Sequence, residues 1–470
     1  MIGLITTFFP YLLILYFMYR FLDEPVFLLG IPFMMFMRYC VFFDKVKVLS
    51  MPGSLGGDIL LLLWLLVFYF IISFKINVWN KNPEGRVLHK RNFNWIDVTM
   101  LALITLTVVG LVIVVDEYYI LNDVTKEFFV LISPMLGYFI IKELVRYLDM
   151  EKLIEFLYLI VIVNSIASFF YFVHQGLHIQ IYDVSEEYFV EFFQGEQITR
   201  TFWFMPVLWF FSIVFLLIFK RKKLIEFAPL FFINLLGIII SYTRSFLVLA
   251  LLLIFMYFIL DGLKRKNYLL IIRYSVIVGL SGVVLFLAVS HFLPASTGFF
   301  IDRFKELEKD KSVQEPNNLV YRFERTQEII EKIDDQKVWV GFGPVSEIQL
   351  PFVEYIKAVT SDMAWTGVVF RWGYIGMLMF LILFLGVARS SLLIFFRTDG
   401  ISSDLALLFF LTTLSQISES FTSWTFMSPD RAPMSFWYFA IFSGLLVQMK
   451  QTEDDELTVP DNIELSQESI

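Results

Sequence analysis

The feature that most constrains this chain is a repeated one: apolar runs long enough to cross a bilayer. At ~1.5 Å of rise per residue, ~20 apolar helical residues cross a hydrocarbon core of ~30 Å. Runs near that length recur at about 2–19, 25–43, 57–74, 97–115, 127–142, 152–173, 201–219, 225–241, 245–261, 268–292, 363–388, 404–417 and 434–449. The first two are the least well marked, so the expected number of spans is twelve to thirteen. The runs are continuous rather than alternating, which argues against a membrane β-barrel and makes strands an unexpected element. Composition agrees. Of 470 residues, 58% are hydrophobic, 18% are aromatic and 55 are Phe. Mean hydropathy is +0.72. A soluble domain could not bury so much apolar surface. The expected fold is an all-α, polytopic transmembrane helical bundle.

The ends and the cysteine content narrow the class further. No basic residue precedes the first run, and no small-residue cleavage site follows it, so it reads as a span rather than a signal peptide. Residues 1–450 form the membrane domain. Residues 451–470 carry seven acids and no Lys or Arg, and read as a disordered cytoplasmic tail that supplies much of the net charge of −8. Cys40 is the one cysteine, which excludes an intramolecular disulfide and a cysteine metal cluster.

Short-loop Lys and Arg set the orientation. One set of alternate loops holds KRKK (220–223), LKRK (263–266), five basic residues from Lys75 to Arg91, the stretch KELVRYLDMEK (142–152), and Arg389 with Arg397. The opposite set holds few: Lys45, Lys47, Arg200, Arg431 and Lys126. The first set is expected to be cytoplasmic, leaving loops 174–200 and 293–362 facing outward.

Arg244 is the informative charge. It sits in SYTRS (241–245), between two apolar runs. A charge at the centre of a spanning helix costs ~2.5–3.5 kcal/mol on insertion scales. Both flanking spans return to basic loops, so SYTRS is expected at the outward tip of a tight hairpin. There Arg244 either snorkels to the interface or serves an anionic ligand. The long loop 293–362 is too long for a plain connector. It contains two helix-like stretches, FFIDRFKELEK (299–309) and YRFERTQEIIEKIDD (321–335), and ends in VWVGFGP (338–344). Gly341 and Gly343 suit a turn where backbone comes close to something.

Arg200, Arg244, Arg322, Arg325 and Arg431 therefore share the outward face. Arginine suits bidentate phosphate recognition, so the set points to an anionic ligand at the membrane surface. Glu187, Glu191, Glu196 and Glu419 read first as solvated loop charges, and Asp362 as a helix N-cap; any of them could act as a general base. His174 and His178 have the i,i+4 spacing of a metal pair but no accompanying acid motif, so no metal site is expected.

Four stretches, in this order, resemble the O-antigen polymerase and O-antigen ligase superfamily: ITRTFWFMP (198–206), ISYTRSFLVLAL (240–251), YRFERTQEIIEKIDDQKVWVGFGP (321–344) and SDMAWTGVVFRWGYIGMLMFLILF (361–384). The likeness covers most of residues 95–450. It implies a bacterial cytoplasmic-membrane glycosyltransferase that uses an undecaprenyl-pyrophosphate-linked oligosaccharide. It implies no metal or cofactor, and a setting alongside membrane lipid, a flippase and a chain-length regulator. No nucleic-acid partner is expected. Carried onto this chain, Arg200 and Arg322 with Asp362 are the catalytic candidates. Arg244, Arg325, Arg431, Gly341 and Gly343 are the pyrophosphate-binding candidates. Ligases of the superfamily carry a His-Asn pair where this chain reads Ser361-Asp362, which favours the polysaccharide polymerase branch. The alternatives are a ligase acting on the lipid A core and, from another class, a lipid-linked glycan flippase; the chain lacks the internal repeat expected of the latter.

Overall fold

In the computed structural model of the protein, helices begin and end close to the apolar runs. The structure describes residues 93–118, 121–146, 148–173, 189–193, 196–200, 206–241, 243–269, 339–344, 364–421 and 432–458, with isolated positions elsewhere. The expected spans near 2–19, 25–43 and 57–74 lie outside the described residues, save single positions. The elements are α1 (Trp95–Tyr118), α2 (Leu121–Arg146), α3 (Met150–Tyr171), β1 (Phe189–Phe193), β2 (Glu196–Arg200), α4 (Pro206–Phe215), α5 (Leu224–Ile240), α6 (Arg244–Lys264), α7 (Ala364–Arg397), α8 (Gly400–Ser420) and α9 (Ala432–Thr458). A π-helical turn, Leu216–Lys220, continues α4. Among the described residues five helices are long and apolar enough to cross a membrane: Trp95–Ile113, Met150–Tyr171, Ser245–Lys264, Trp365–Arg397 and Gly400–Ser420. The fold is an all-α, polytopic membrane bundle.

Several boundaries differ from expectation. α2 runs on to Arg146, so Lys142 and Arg146 are buried helix residues rather than loop charges. α7 runs on to Arg397, placing Arg389 inside a helix. α9 continues through Thr458, past the start of the acidic segment at 451. The loop 174–200 contains a β-hairpin, in which β1 and β2 pair antiparallel with Phe189 opposite Arg200 and Phe193 opposite Glu196. The continuous-run argument governs spans and does not reach this short loop, whose FVEFF and EQITR stretches mix aromatic and β-branched residues that suit a pleated ribbon.

Local chemistry explains where helices start. At α1 the Asn94 side chain accepts from the backbone N–H groups of Ile96 (3.0 Å) and Asp97 (3.2 Å), while the Asp97 carboxylate accepts from Asn94 N–H (2.7 Å). This reciprocal arrangement satisfies three otherwise orphaned donors. Asp97 also binds the Tyr138 hydroxyl (2.7 Å) and pairs with Lys142, tying α1 to α2. The hydroxyls of Tyr138 and Ser443 lie 2.8 Å apart, which brings in α9.

A second buried polar network joins α3, α4 and α5. Asn164 donates to Ser212 Oγ (3.0 Å) and Asn234 Oδ1 (2.8 Å); Asn234 donates to Ser165 Oγ (2.7 Å); Trp209 Nε1 donates to Ser168 Oγ (2.9 Å). Lipid offers no hydrophobic drive for helix pairing, so such bonds and close packing hold spans together. Gly237 allows the approach: a Cβ there would lie 2.8 Å from Trp209 Nε1.

These contacts orient the bundle. Lys264, at the end of α6, donates to the Phe395 carbonyl (2.8 Å) and to Ser403 Oγ. Arg221 and Arg265 both pair with Asp261, at 3.1 and 2.7 Å. Gln448 of α9 donates to the carbonyls of Val145 and Leu148. Ser402 at the start of α8 meets Met150 at the start of α3, so the basic segments 142–152, 220–223 and 263–266 gather at one end. The N-terminus of α6 and the C-terminus of α8 fall at the other.

Candidate functional site

At this second end the α5–α6 connection is as tight as the sequence required. Ser241 Oγ donates to the Ile238 carbonyl (2.7 Å) and accepts from Thr243 N–H (3.3 Å). α6 begins at Arg244, with Thr243 as its N-cap residue. Arg244 thus occupies the first helical position, where the macrodipole is positive and a cation is disfavoured. A helix N-terminus and an arginine thus stand at one point of the chain, a candidate pole for an anion. α4 starts soon after Arg200, and its Phe210 packs on Phe246 in the first turn of α6, ring centroids 6.0 Å apart. The start of α4, which follows Arg200 in sequence, and the start of α6 therefore meet at one end of the bundle.

The same end holds a broken helix. α7 would be ~50 Å long if straight. It is interrupted at Gly373, whose backbone is non-helical at φ 62°, ψ −167°. Trp365 and Phe384 would stand ~28 Å apart along a straight helix, yet their rings are 6.3 Å apart. Residues 364–372 therefore fold back beside the longer segment 374–397, which still measures ~36 Å and suffices to cross.

Backbone groups freed by the break are taken up by the stretch Trp339–Gly343. Phe342 N–H donates to the Phe370 carbonyl (2.8 Å), Gly343 N–H to the Arg371 carbonyl (2.9 Å), and Ile375 N–H to the Trp339 carbonyl (3.2 Å). Irregular backbone inside a membrane protein persists where neighbours satisfy it in this way. Gly341 and Gly343 take φ of 76° and 74°. A Cβ on Gly343 would lie 2.5 Å from the Gly110 carbonyl oxygen of α1, and one on Gly373 would lie 2.3 Å from the Trp339 carbonyl oxygen. Trp372 Nε1 donates to Thr107 Oγ1 (2.8 Å), closing the junction onto α1. Gly341 and Gly343 are thus a turn under close backbone approach. Their backbones pack closely against α7 and α1.

Two charged residues at this end were not read correctly from the sequence. Glu419 is the penultimate residue of α8 and is 1% exposed, so it is a buried carboxylate rather than a solvated loop charge. Arg371, on the folded-back segment, is 4% exposed. It was not among the expected site residues, although a charge inside an apolar run is itself a signal. Trp365, at the start of that segment, packs on Phe421 just after α8, centroids 6.1 Å apart. The beginning of α7 thus lies against the end of α8.

Of the expected site residues, Arg200 ends β2 and Arg244 opens α6, each described in its backbone only. Asp362, Arg322, Arg325 and Arg431 lie outside the described residues, as do His174 and His178. Asp362 closely precedes the folded-back segment in sequence, and Arg431 directly precedes α9. Among the described residues no group of three or more His, Cys, Asp or Glu could hold a metal ion.

Comparison with known proteins bears on this end of the bundle. No curated protein matches the chain. The family model described as O-antigen ligase matches residues 229–381, a stretch that includes Arg244, the Gly341–Gly343 turn and the break at Gly373. Residues 229–381 are thus similar to the O-antigen ligase family, a match that supports the resemblance to the superfamily of O-antigen ligases and polymerases.

Proposed function

We propose that the protein polymerises undecaprenyl-pyrophosphate-linked oligosaccharide repeat units into a surface polysaccharide at the outer face of the bacterial cytoplasmic membrane. The observation that carries this reading is the family match over residues 229–381, whose limits enclose the Arg244 hairpin tip and the broken helix. In the proposed reaction an acceptor sugar hydroxyl attacks the anomeric carbon of the donor. The bond from that carbon to the pyrophosphate oxygen breaks, and undecaprenyl pyrophosphate leaves. Negative charge grows on the leaving group. Arg244 and the N-terminus of α6 are assigned to stabilise it, together with Arg200, Arg322, Arg325 and Arg431. The acceptor proton passes to a carboxylate. Asp362 is the candidate chosen on resemblance, and Glu419 is a second, now found buried at the same end.

The polymerase branch is preferred for Ser361-Asp362 in place of the ligase His-Asn pair. The ligase reading keeps one observation in its favour, the description of the matching family. The test is reconstitution of the purified chain in vesicles with undecaprenyl-pyrophosphate-linked repeat units and a chelator. The proposal expects a ladder of longer lipid-linked glycans, and a loss of ~10²-fold or more in rate for Arg244→Ala, the scale of removing one donor to a developing anion. Repeat units that cross the vesicle membrane without lengthening would indicate a flippase instead.

A further inference from the structure

We infer that Thr412, Gln416 and Glu419, on one face of α8, form a binding site for the hydroxyl groups of a sugar. The identity of that sugar as the acceptor repeat unit rests on the function proposed above; the site itself does not. The three residues stand at i, i+4 and i+7, so they line one stripe of the helix. They are 1%, 2% and 1% exposed. The stripe runs along the half of α8 nearest the Arg244 end of the bundle.

Neighbouring polar side chains on α8 are satisfied within the protein. Ser415 Oγ donates to the Thr412 carbonyl (2.7 Å), Thr413 Oγ1 to the Phe409 carbonyl (2.7 Å) and Ser420 Oγ to the Ile417 carbonyl. Thr412 Oγ1 and both amide atoms of Gln416 are buried without a hydrogen-bond partner among the described residues. Thr412 makes no bond back to its own helix, the usual resort of a buried threonine. Native proteins rarely leave such groups without a purpose.

The chemistry selects the ligand. An amide offers two donors and two acceptor sites side by side, and a threonine hydroxyl offers one donor and two acceptor sites. Sugar hydroxyls are donors and acceptors together, so adjacent hydroxyls match this set. A phosphate does not, because it offers acceptors alone and would leave the Gln416 amide oxygen without a donor. The stripe and the Arg244 pole therefore suit different parts of a lipid-linked glycan: hydroxyls here, pyrophosphate there.

The test uses the full chain in detergent. The probe is the host's own repeat-unit oligosaccharide, released from its lipid carrier by mild acid, labelled and followed by equilibrium dialysis. Saturable binding by the wild type is expected, with affinity at least ~10-fold weaker in Gln416→Leu and in the isosteric Thr412→Val. Neither variant should melt below the wild type, since an apolar replacement removes an unsatisfied group. Wild-type affinity in both variants, or no binding by the wild type, would overturn the site. If binding depends on Gln416 but deleting the protein leaves surface glycan length unchanged, the site stands and the polymerase reading fails. If deletion abolishes long chains while both variants bind normally, the polymerase reading stands and the site fails.

Discussion

The Asp97–Lys142 pair shows what single residues must satisfy in this bundle. Asp97 is fully buried and Lys142 is 7% exposed. Replacing Lys142 with Met strands a carboxylate in a low-dielectric interior, a change that costs ~3–5 kcal/mol when a buried pair is broken. Lys142→Met should lower the melting temperature in detergent, and adding Asp97→Leu should restore part of it. An unchanged melting temperature in the single variant would mean that Asp97 is compensated elsewhere. Neither burial was legible in the sequence. Lys142 looked like part of a basic loop because Glu143 and Arg146 follow it closely. The placement of Arg244 was legible, because the two spans beside it had to return to basic ends. The burial of Glu419 was not, since it follows the apolar run of α8 and a linear sequence does not show which neighbours close over it.

At the scale of elements, α7 is the instructive case. Its apolar run is continuous from Gly367 to Phe384 apart from Arg371, Tyr374 and the glycines, so it reads as one span. The break depends on partners far away in sequence, Trp339 to Gly343 and Gly110, which periodicity cannot pair with it. The glycines test this account. Gly343→Ala adds ~1–3 kcal/mol of left-handed backbone strain and drives a methyl into the Gly110 carbonyl. Gly400 has φ of 67° with nothing within 4 Å of its would-be Cβ, so Gly400→Ala incurs only the strain. Gly343→Ala is therefore expected to cut the yield of folded protein severely, and Gly400→Ala only mildly, as measured by size-exclusion profile and melting temperature. Equal effects would show that the junction is not packed as described. The hairpin β1–β2 was missed for another reason: a short ribbon in a loop gives a weak signal beside spans that dominate composition.

At the scale of the whole molecule, basic segments group at one end, and the proposed orientation puts that end in the cytoplasm. With Cys40 replaced by Ser, a single cysteine at Lys222 should resist a membrane-impermeant thiol reagent in intact cells, whereas one at Glu187 should react. The reverse pattern would invert the topology and put the Arg244 end on the wrong side for a lipid-linked donor exported to the outer leaflet. The central claim, that this end of the bundle joins repeat units, is tested most directly by the size profile of the surface glycan in a strain lacking the protein. The account predicts that long chains collapse to single repeat units that still reach their normal anchor. Long chains that persist on the lipid carrier and never reach the anchor would contradict it and identify a ligase.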